Sequence, residues 1–183
     1  MFIDSYDIQT GNEDDDKYYS FVGHDWVWMT MSPEDEEWCR KIGAERRKFG
    51  QKNKMHNLAK NPGVDTEALG VAGELAIHRY TGQKINQLGV CHDRNRPDIG
   101  QDIEVKTSTW NKALFLHVNA SQLNRDRRYV LVMTKFYPKL LGIVGWIYGR
   151  QIVSPPKQPD WRQKEPYYEV SWQLLNSIDT FEK

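Results

Sequence analysis

A helical pattern of apolar residues gives way to strand-like patterns at Gly82. The apolar residues that recur at helical spacing before it are Leu69, Ala72, Ala76 and Tyr80. Asp65 or Thr66 can cap the start of this helix, and Gly82 is a natural stop. Gly70 and Gly73 leave one flank of the helix smooth, so that it can pack closely against a sheet. The chain is therefore predicted to place this helix against the strands that follow.

Four segments after Gly82 have the composition of β-strands. They are residues 102–108, 113–118, 129–136 and 140–148. Residues 129–136 are the best candidate for a buried strand, because they are almost continuously apolar. Residues 119–124 indicate a short helix, residues 154–159 a proline-rich loop, and residues 169–177 a final short strand or helix. This order predicts an α/β fold in which helices flank a mixed central sheet.

The N-terminal part is predicted to add a strand and a helix to this core. Residues 21–30 alternate well enough to form a strand. Ser32 and Pro33, followed by acidic residues, indicate the start of a helix. We expect this helix to run to about Phe49, where Gly50 can end it.

Length and composition set limits on the class of protein. The 183 residues suit one domain, with an N-terminal extension over residues 1–60 (an acidic arm and a basic helix) and a core over residues 61–183. A hydrophobic content of 39% is that of a soluble globular chain. No apolar run approaches the roughly 18 residues of a membrane span, and no signal sequence opens the chain, which favours a cytoplasmic protein. Cys39 and Cys91 are too few for a disulfide framework and are interpreted as reduced bystanders.

Charge is divided unevenly along a chain whose formal net charge is zero. Residues 1–37 contain eleven acidic residues and one basic residue, so the remainder carries an excess of ten positive charges. Such a body suits a polyanionic partner, although an ordinary solvated surface gives the same balance. The acidic arm can shield that surface, bind a protein or only increase solubility. The bases considered for phosphate contacts are Arg40, Lys41, Arg46, Arg47, Lys48, Lys52, Lys54, Arg125, Arg127 and Arg128.

The stretch from Asp98 to Lys106 brings acids and a lysine together around a predicted turn. In a strand, the side chains of Glu104 and Lys106 project on the same face, with Cα atoms roughly 6–7 Å apart. The turn brings Asp98 back alongside them. One or two carboxylates with phosphate and water are a typical ligand set for Mg²⁺, which can polarise a phosphodiester while a lysine stabilises the developing anion. A charged surface hairpin without a metal is the alternative.

The length of the turn decides whether Asp98 can join this group. With a two-residue turn at 100–101, Asp98 would pair with Ile103 and lie on the wrong face. A three-residue loop over residues 99–101 sets Asp98 opposite Asp102 and restores the parity. Asp98 is then favoured as the main metal ligand, and Asp102 is the alternative or a supporting ligand.

Pro97-Asp98 and Glu104-Val105-Lys106 resemble the signature of the PD-(D/E)XK nuclease superfamily, which has a restriction-endonuclease-like core. The resemblance covers about residues 66–148. It implies that Asp98 and Glu104 bind Mg²⁺ or Mn²⁺. It also implies that the backbone carbonyl of Val105 is a further ligand and that Lys106 orients or activates the attacking water.

Two further positions resemble the same superfamily. Glu74 lies on the helix before the hairpin, where members commonly carry a glutamate, and would act through a second ion or by ordering waters. Gln122 matches a polar position that some members use near the site. His78 shares the face of Glu74 one turn later, and we interpret it as a structural histidine with a partner. Trp110 either packs or stacks on an unpaired base.

The resemblance implies a metal-dependent nuclease, similar to small stand-alone phage-type members, that hydrolyses DNA rather than RNA. Endonuclease and exonuclease activity both remain open, and so does a homodimer. A catalytically silent nucleic-acid-binding protein of the same fold is the first alternative. A protein-interaction module that uses the acidic arm is the second.

Overall fold

Seven strands and two α-helices form the part of the chain that the computed structural model describes, which is residues 2–3, 25–52, 65–86, 96–109, 114–159 and 165–182. The helices are α1 (Pro33–Lys52) and α2 (Thr66–Thr81). The strands are β1 (Phe2–Ile3), β2 (Val27–Thr30), β3 (Ile103–Ser108), β4 (Phe115–Asn119), β5 (Arg128–Phe136), β6 (Leu140–Tyr148) and β7 (Tyr167–Ser171).

Five strands form one mixed sheet in the order β1-β2-β6-β5-β3. Strand β3 runs parallel to β5, whereas the other neighbouring pairs of this sheet are antiparallel. Strands β4 and β7 form a separate antiparallel pair. The predicted mixed α/β class is confirmed, and β3 lies at one edge of the larger sheet.

Both faces of the larger sheet are covered by apolar layers. Val130 and Val132 of β5 belong to the core that α2 completes, whereas Leu131 and Met133 belong to a second core shared with β4 and β7. Side chains of a strand alternate between the two faces, so a strand that is buried on both faces has no polar face to display. This is why residues 129–136 are almost continuously apolar, as predicted for a buried strand.

Helix α2 has the ends that its sequence predicts. The Asp65 side chain accepts a hydrogen bond from the backbone N–H of Ala68 at 3.1 Å, and Gly82 ends the helix with a φ of 73°. Of the two glycines expected to face a sheet, Gly73 does so closely. A Cβ atom at Gly73 would lie 2.3 Å from Cγ2 of Thr107 in β3, whereas a Cβ atom at Gly70 would meet nothing within 4 Å.

Helix α1 begins as predicted and ends later than predicted. The Ser32 hydroxyl accepts from the backbone N–H of Asp35 at 3.2 Å, and the Asp35 carboxylate accepts from the backbone N–H of Ser32 at 3.0 Å. This reciprocal pair satisfies two of the N–H groups that a helix start leaves open. The helix continues to Lys52 because an isolated glycine such as Gly50 costs a helix only about 1 kcal/mol.

Two other segments differ from their predictions. The helix expected over residues 119–124 is a single 3₁₀ turn, Ala120–Gln122, without a side-chain hydrogen bond at its cap. Residues 169–177 combine both predicted alternatives, because β7 is followed directly by the 3₁₀ turn Trp172–Leu174.

Candidate functional site

A tight hairpin delivers Asp98 to the edge of β3 that faces away from β5. Ile99 and Ile103 exchange backbone hydrogen bonds of 3.1 and 3.2 Å, and Gly100 adopts a φ of 56° in the loop between them. The loop therefore has three residues, as predicted, but it covers residues 100–102 rather than 99–101. Continuing this register places Asp98 opposite Glu104, not opposite Asp102.

The Asp98 carboxylate is held by the backbone of β3. Its Oδ2 atom accepts a hydrogen bond of 2.8 Å from the backbone N–H of Val105. The Val105 N–H points away from β5, in the same direction as the Ile103 backbone groups that bond to Ile99. The carbonyl of a strand residue points to the same edge as its N–H, so the Val105 carbonyl oxygen lies on the Asp98 side of β3.

Glu104 is buried and contacts two basic side chains. Its Oε1 accepts from the Arg127 guanidinium, and its Oε2 lies 3.5 Å from the Lys106 ammonium. Burial and the nearby Asp98 carboxylate raise the pKa of Glu104, whereas Lys106 and Arg127 oppose that shift. Asp98, Glu104 and Lys106 are therefore close enough to influence one another's charge.

Glu74 approaches the same group from helix α2. Both of its oxygens accept hydrogen bonds from the Arg46 guanidinium of α1, at 2.7 and 2.6 Å, and both side chains are buried. Burial raises the pKa of Glu74 to about 7, with a further increase from Asp98, whereas Arg46 and Lys106 lower it. Glu74 thus lies within the electrostatic range of the hairpin residues.

The acids and bases of this group balance one another. Glu74, Asp98 and Glu104 supply three carboxylates, and Arg46, Lys106 and Arg127 supply three cations. Placing carboxylates in a protein interior without cations would cost several kcal/mol each, which is the reason that both arginines lie inside. We refer to these six residues as the edge cluster.

Several residues predicted to contact substrate lie elsewhere. Arg46 and Arg127 are in the edge cluster and not on the exposed surface. Arg128 binds both oxygens of Asp102 at 2.7 and 2.8 Å and lies over the Phe181 ring. The structure therefore places Asp102 against Arg128 and outside the edge cluster, because the register of the hairpin puts it in the loop.

Some of the remaining predicted bases form ion pairs, and most of them are exposed to solvent. Arg40 pairs with Glu36, and Arg47 pairs with Asp65 across the two helices. The exposed residues of the predicted set are Arg40, Lys41, Lys48, Lys52 and Arg125. Lys54 and Trp110 lie outside the described residues, as do Cys91 and residues 53–64.

The hydrogen bonds of Gln122 and His78 are with residues outside the edge cluster. The carbonyl oxygen of Gln122 accepts a 3.1 Å hydrogen bond from the Tyr129 hydroxyl, so its recorded contact is through its backbone. Nδ1 of His78 lies 2.7 Å from the Gln83 carbonyl oxygen, an arrangement that suits the predicted structural histidine.

The oxygen atoms at the edge of β3 fit the ligands of a hard divalent cation. Asp98 and Glu104 supply two carboxylates, and the Val105 carbonyl lies on the same edge. Mg²⁺ is commonly bound by one or two carboxylates, with water and phosphate completing its octahedron. Among the residues that the structure describes, no three His, Cys, Asp or Glu side chains group closely enough to bind a metal by themselves.

One feature of the sequence indicates that a basic residue lies buried beside Glu74. Glu74 is an acid among small and apolar neighbours, and a buried carboxylate requires a cationic partner. That partner, Arg46, is 28 residues away on another helix. Its identity depends on how α1 crosses α2, which no local pattern specifies.

Comparisons with protein-family models, with curated proteins and with solved structures find no match for this chain. Within the described ranges, neither helix is long and apolar enough to cross a membrane.

Proposed function

We propose that this protein is a metal-dependent nuclease that hydrolyses phosphodiester bonds in DNA. The observation that carries the proposal is the meeting of Asp98, Glu104 and Lys106 at strand β3, which is an edge strand of the described sheet. A divalent cation held by the two carboxylates, together with the Lys106 amine, would stabilise the negative charge that develops on phosphorus. The proposal rests on these contacts and on the resemblance of the hairpin motif to the PD-(D/E)XK signature.

Each residue of the hairpin has a distinct role in the proposed reaction. Asp98 and Glu104 would hold a divalent ion, which supplies charge stabilisation and a more acidic bound water. Arg127 fixes Oε1 of Glu104, so Oε2 is the oxygen that faces Lys106. The Lys106 ammonium would orient the attacking water or stabilise the phosphoryl oxygens, and Arg46 holds Glu74 in place behind them.

The proposal is tested by cleavage of linear, nicked, branched and single-stranded DNA, and of RNA, with Mg²⁺, Mn²⁺ or EDTA. Lys106→Met and Asp98→Asn should each lower the cleavage rate by at least about 100-fold, the usual worth of a positioned acid–base or charge-stabilising group. Lys139→Met and Asp126→Asn remove exposed charges near the same sheet and serve as matched controls. Equal cleavage rates for Lys106→Met and the wild type would show that Lys106 has no role in the reaction and would contradict the proposed mechanism.

The charge balance of the edge cluster favours a second candidate, a nucleic-acid-binding protein without turnover. Arg46, Lys106 and Arg127 neutralise the three carboxylates without an added ion. Such a protein would bind DNA equally well in EDTA and in Mg²⁺ and would leave every substrate intact. Metal-dependent cleavage that is lost in Lys106→Met distinguishes the nuclease from this alternative.

A further inference from the structure

A groove of about 510 Å³ lies beyond the edge cluster, where the parallel strands β3 and β5 end. Its wall includes Thr109 after β3, Thr134 and Lys135 of β5, and Arg40 of helix α1. Clefts of roughly 300–1,000 Å³ are the usual size of small-ligand sites. In α/β sheets, ligands commonly bind beyond the carboxyl ends of parallel strands, which is where this groove lies.

The groove presents hydrogen-bond donors and two cations. Arg40 and Lys135 supply positive charge, and the exposed Arg40 guanidinium also pairs with Glu36. Thr109 supplies a hydroxyl group, whereas the Thr134 hydroxyl donates to the Ser108 carbonyl at 3.4 Å and offers its oxygen. The lining also contains Asp65, but its carboxylate is bound by Arg47 and caps helix α2. A guanidinium, an ammonium and hydroxyl groups together suit the oxygen atoms of a phosphate.

The Tyr137 hydroxyl adds an independent observation. Tyr137 lines the groove, and its buried hydroxyl, which has the Arg40 guanidinium beside it, donates no hydrogen bond to any of the described residues. Burial raises the pKa of Tyr137 to about 12, while Arg40 acts in the opposite direction, so the hydroxyl keeps its proton near neutral pH. A buried donor without a partner is costly, and a ligand oxygen in the groove would satisfy it.

We infer that this groove binds a phosphate-bearing nucleotide unit of the substrate strand, next to the bond that the edge cluster cleaves. Thr109 follows Lys106 by three residues, so their Cα atoms lie about 10 Å apart along the strand direction and their side chains start from opposite faces. Leu69 and Pro138 give one side of the groove an apolar surface suited to the sugar or base. This inference rests on the proposed nuclease function for the identity of the strand, but its binding test needs no cleavage.

The test is calorimetric titration of the full chain with thymidine 5′-monophosphate, thymidine and inorganic phosphate, all in EDTA. The monophosphate should bind more tightly than either of the other two, because it combines the charged and the apolar contacts. Arg40→Met and Lys135→Met should each weaken it by about tenfold, the effect of losing one charge-assisted hydrogen bond. Tyr137→Phe should weaken it by a smaller factor, and it changes the fold least.

Lys139→Met is the matched control, because Lys139 is exposed in the same turn as Tyr137 but does not line the groove. Equal affinity for thymidine and its monophosphate would overturn the inference, and so would unchanged monophosphate affinity in Arg40→Met and Lys135→Met. Tighter binding of inorganic phosphate than of the monophosphate would show an anion site with no place for a nucleotide, which also overturns it.

The outcome is separable from that of the proposed function. If the chain cleaves DNA, Arg40→Met should raise KM about tenfold and leave kcat unchanged, because the lost contact is the same in the ground and transition states. If Arg40→Met cleaves DNA with an unaltered KM and binds the monophosphate with unaltered affinity, the inference about the groove is wrong. The proposed nuclease function is not affected by that result. If the chain binds the monophosphate through Arg40 and Lys135 but cleaves no substrate, the proposed nuclease function is wrong. The groove is then still a nucleotide-binding site.

Discussion

Two buried carboxylates border the hairpin, and each is bound by an arginine from a distant part of the chain. Arg46 holds both oxygens of Glu74, and Arg127 holds one oxygen of Glu104. In the interior, each arginine offsets a desolvation cost of several kcal/mol. The positions of the reacting groups in the proposed site therefore depend on helix α1, although α1 carries no part of the recognised motif.

Removal of Arg46 should destabilise the protein strongly. Arg46→Met leaves the Glu74 carboxylate buried without a partner, and the expected loss in the free energy of unfolding is about 3–5 kcal/mol. Arg47→Met is the matched control, since the Arg47–Asp65 pair is about one-third exposed and should be worth less than about 1 kcal/mol. Urea unfolding of both variants measures the difference.

A companion variant separates charge from packing at this pair. Arg46→Met combined with Glu74→Leu removes both charges, and it should recover most of the stability that Arg46→Met loses. Equal stability of Arg46→Met and Arg47→Met would show that the Arg46–Glu74 contact contributes little.

The pKa of Glu74 predicts a dependence of stability on pH. Folding raises this pKa from an ordinary 4.5 to about 7, so the folded state binds the proton more tightly between these two values. The contribution of this group to the free energy of unfolding is then greatest below pH 4.5 and declines by up to about 3 kcal/mol as the pH rises to about 7. Glu74→Gln cannot titrate and is the reference.

The measurement compares the wild type with Glu74→Gln in urea at several pH values. The stability of the wild type relative to this variant should fall as the pH rises from about 4.5 to 7.5. A difference that stays constant, or one that grows with pH, would show that Glu74 keeps an ordinary or lowered pKa through its pair with Arg46.

At the scale of elements, short sequence patterns correctly predicted the features that depend on neighbouring residues alone. The caps of α2 at Asp65 and Gly82, the start of α1 at Ser32 and the buried strand β5 all follow from short-range rules. The hairpin loop had the predicted length but was shifted by one residue, because Gly100 takes a left-handed conformation inside the loop and lets Ile99 pair with Ile103. The parallel pairing of β3 with β5 joins distant segments, which no local pattern specifies.

The two glycines of α2 should respond in opposite ways to alanine. Gly73→Ala places a methyl group 2.3 Å from Cγ2 of Thr107, so the helix or the Thr107 side chain must shift, at an expected cost of about 1–3 kcal/mol. Gly70→Ala meets nothing within 4 Å and should stabilise the helix by about 0.5–1 kcal/mol. Thermal unfolding of both variants gives the two signs, and a stabilised Gly73→Ala would contradict the close approach of helix and sheet.

At the scale of the whole molecule, the structure shows which basic residues are paired with acids and which are exposed to solvent. Arg46 and Arg127 neutralise buried acids, and Arg128 is engaged by Asp102. Helix α1 presents Lys41, Lys48 and Lys52 to solvent at spacings of seven and four residues, which place them on one side of the helix. Each of these arginine–acid pairs removes one acid together with one base, so the positive excess of the sequence is unchanged, but fewer basic side chains are exposed than the sequence count suggests.

The salt dependence of DNA binding tests this division of charge. Each phosphate contact adds about 0.9 to the slope of log affinity against log salt. Lys41→Gln combined with Lys48→Gln should therefore reduce the slope by about 1 to 2, because both side chains are exposed on α1. Arg128→Gln should leave the slope unchanged in the folded protein, since its guanidinium is committed to Asp102 and lies over Phe181. A slope that falls in Arg128→Gln and persists in the double lysine variant would place the DNA on the β3–β5 side of the molecule and away from α1.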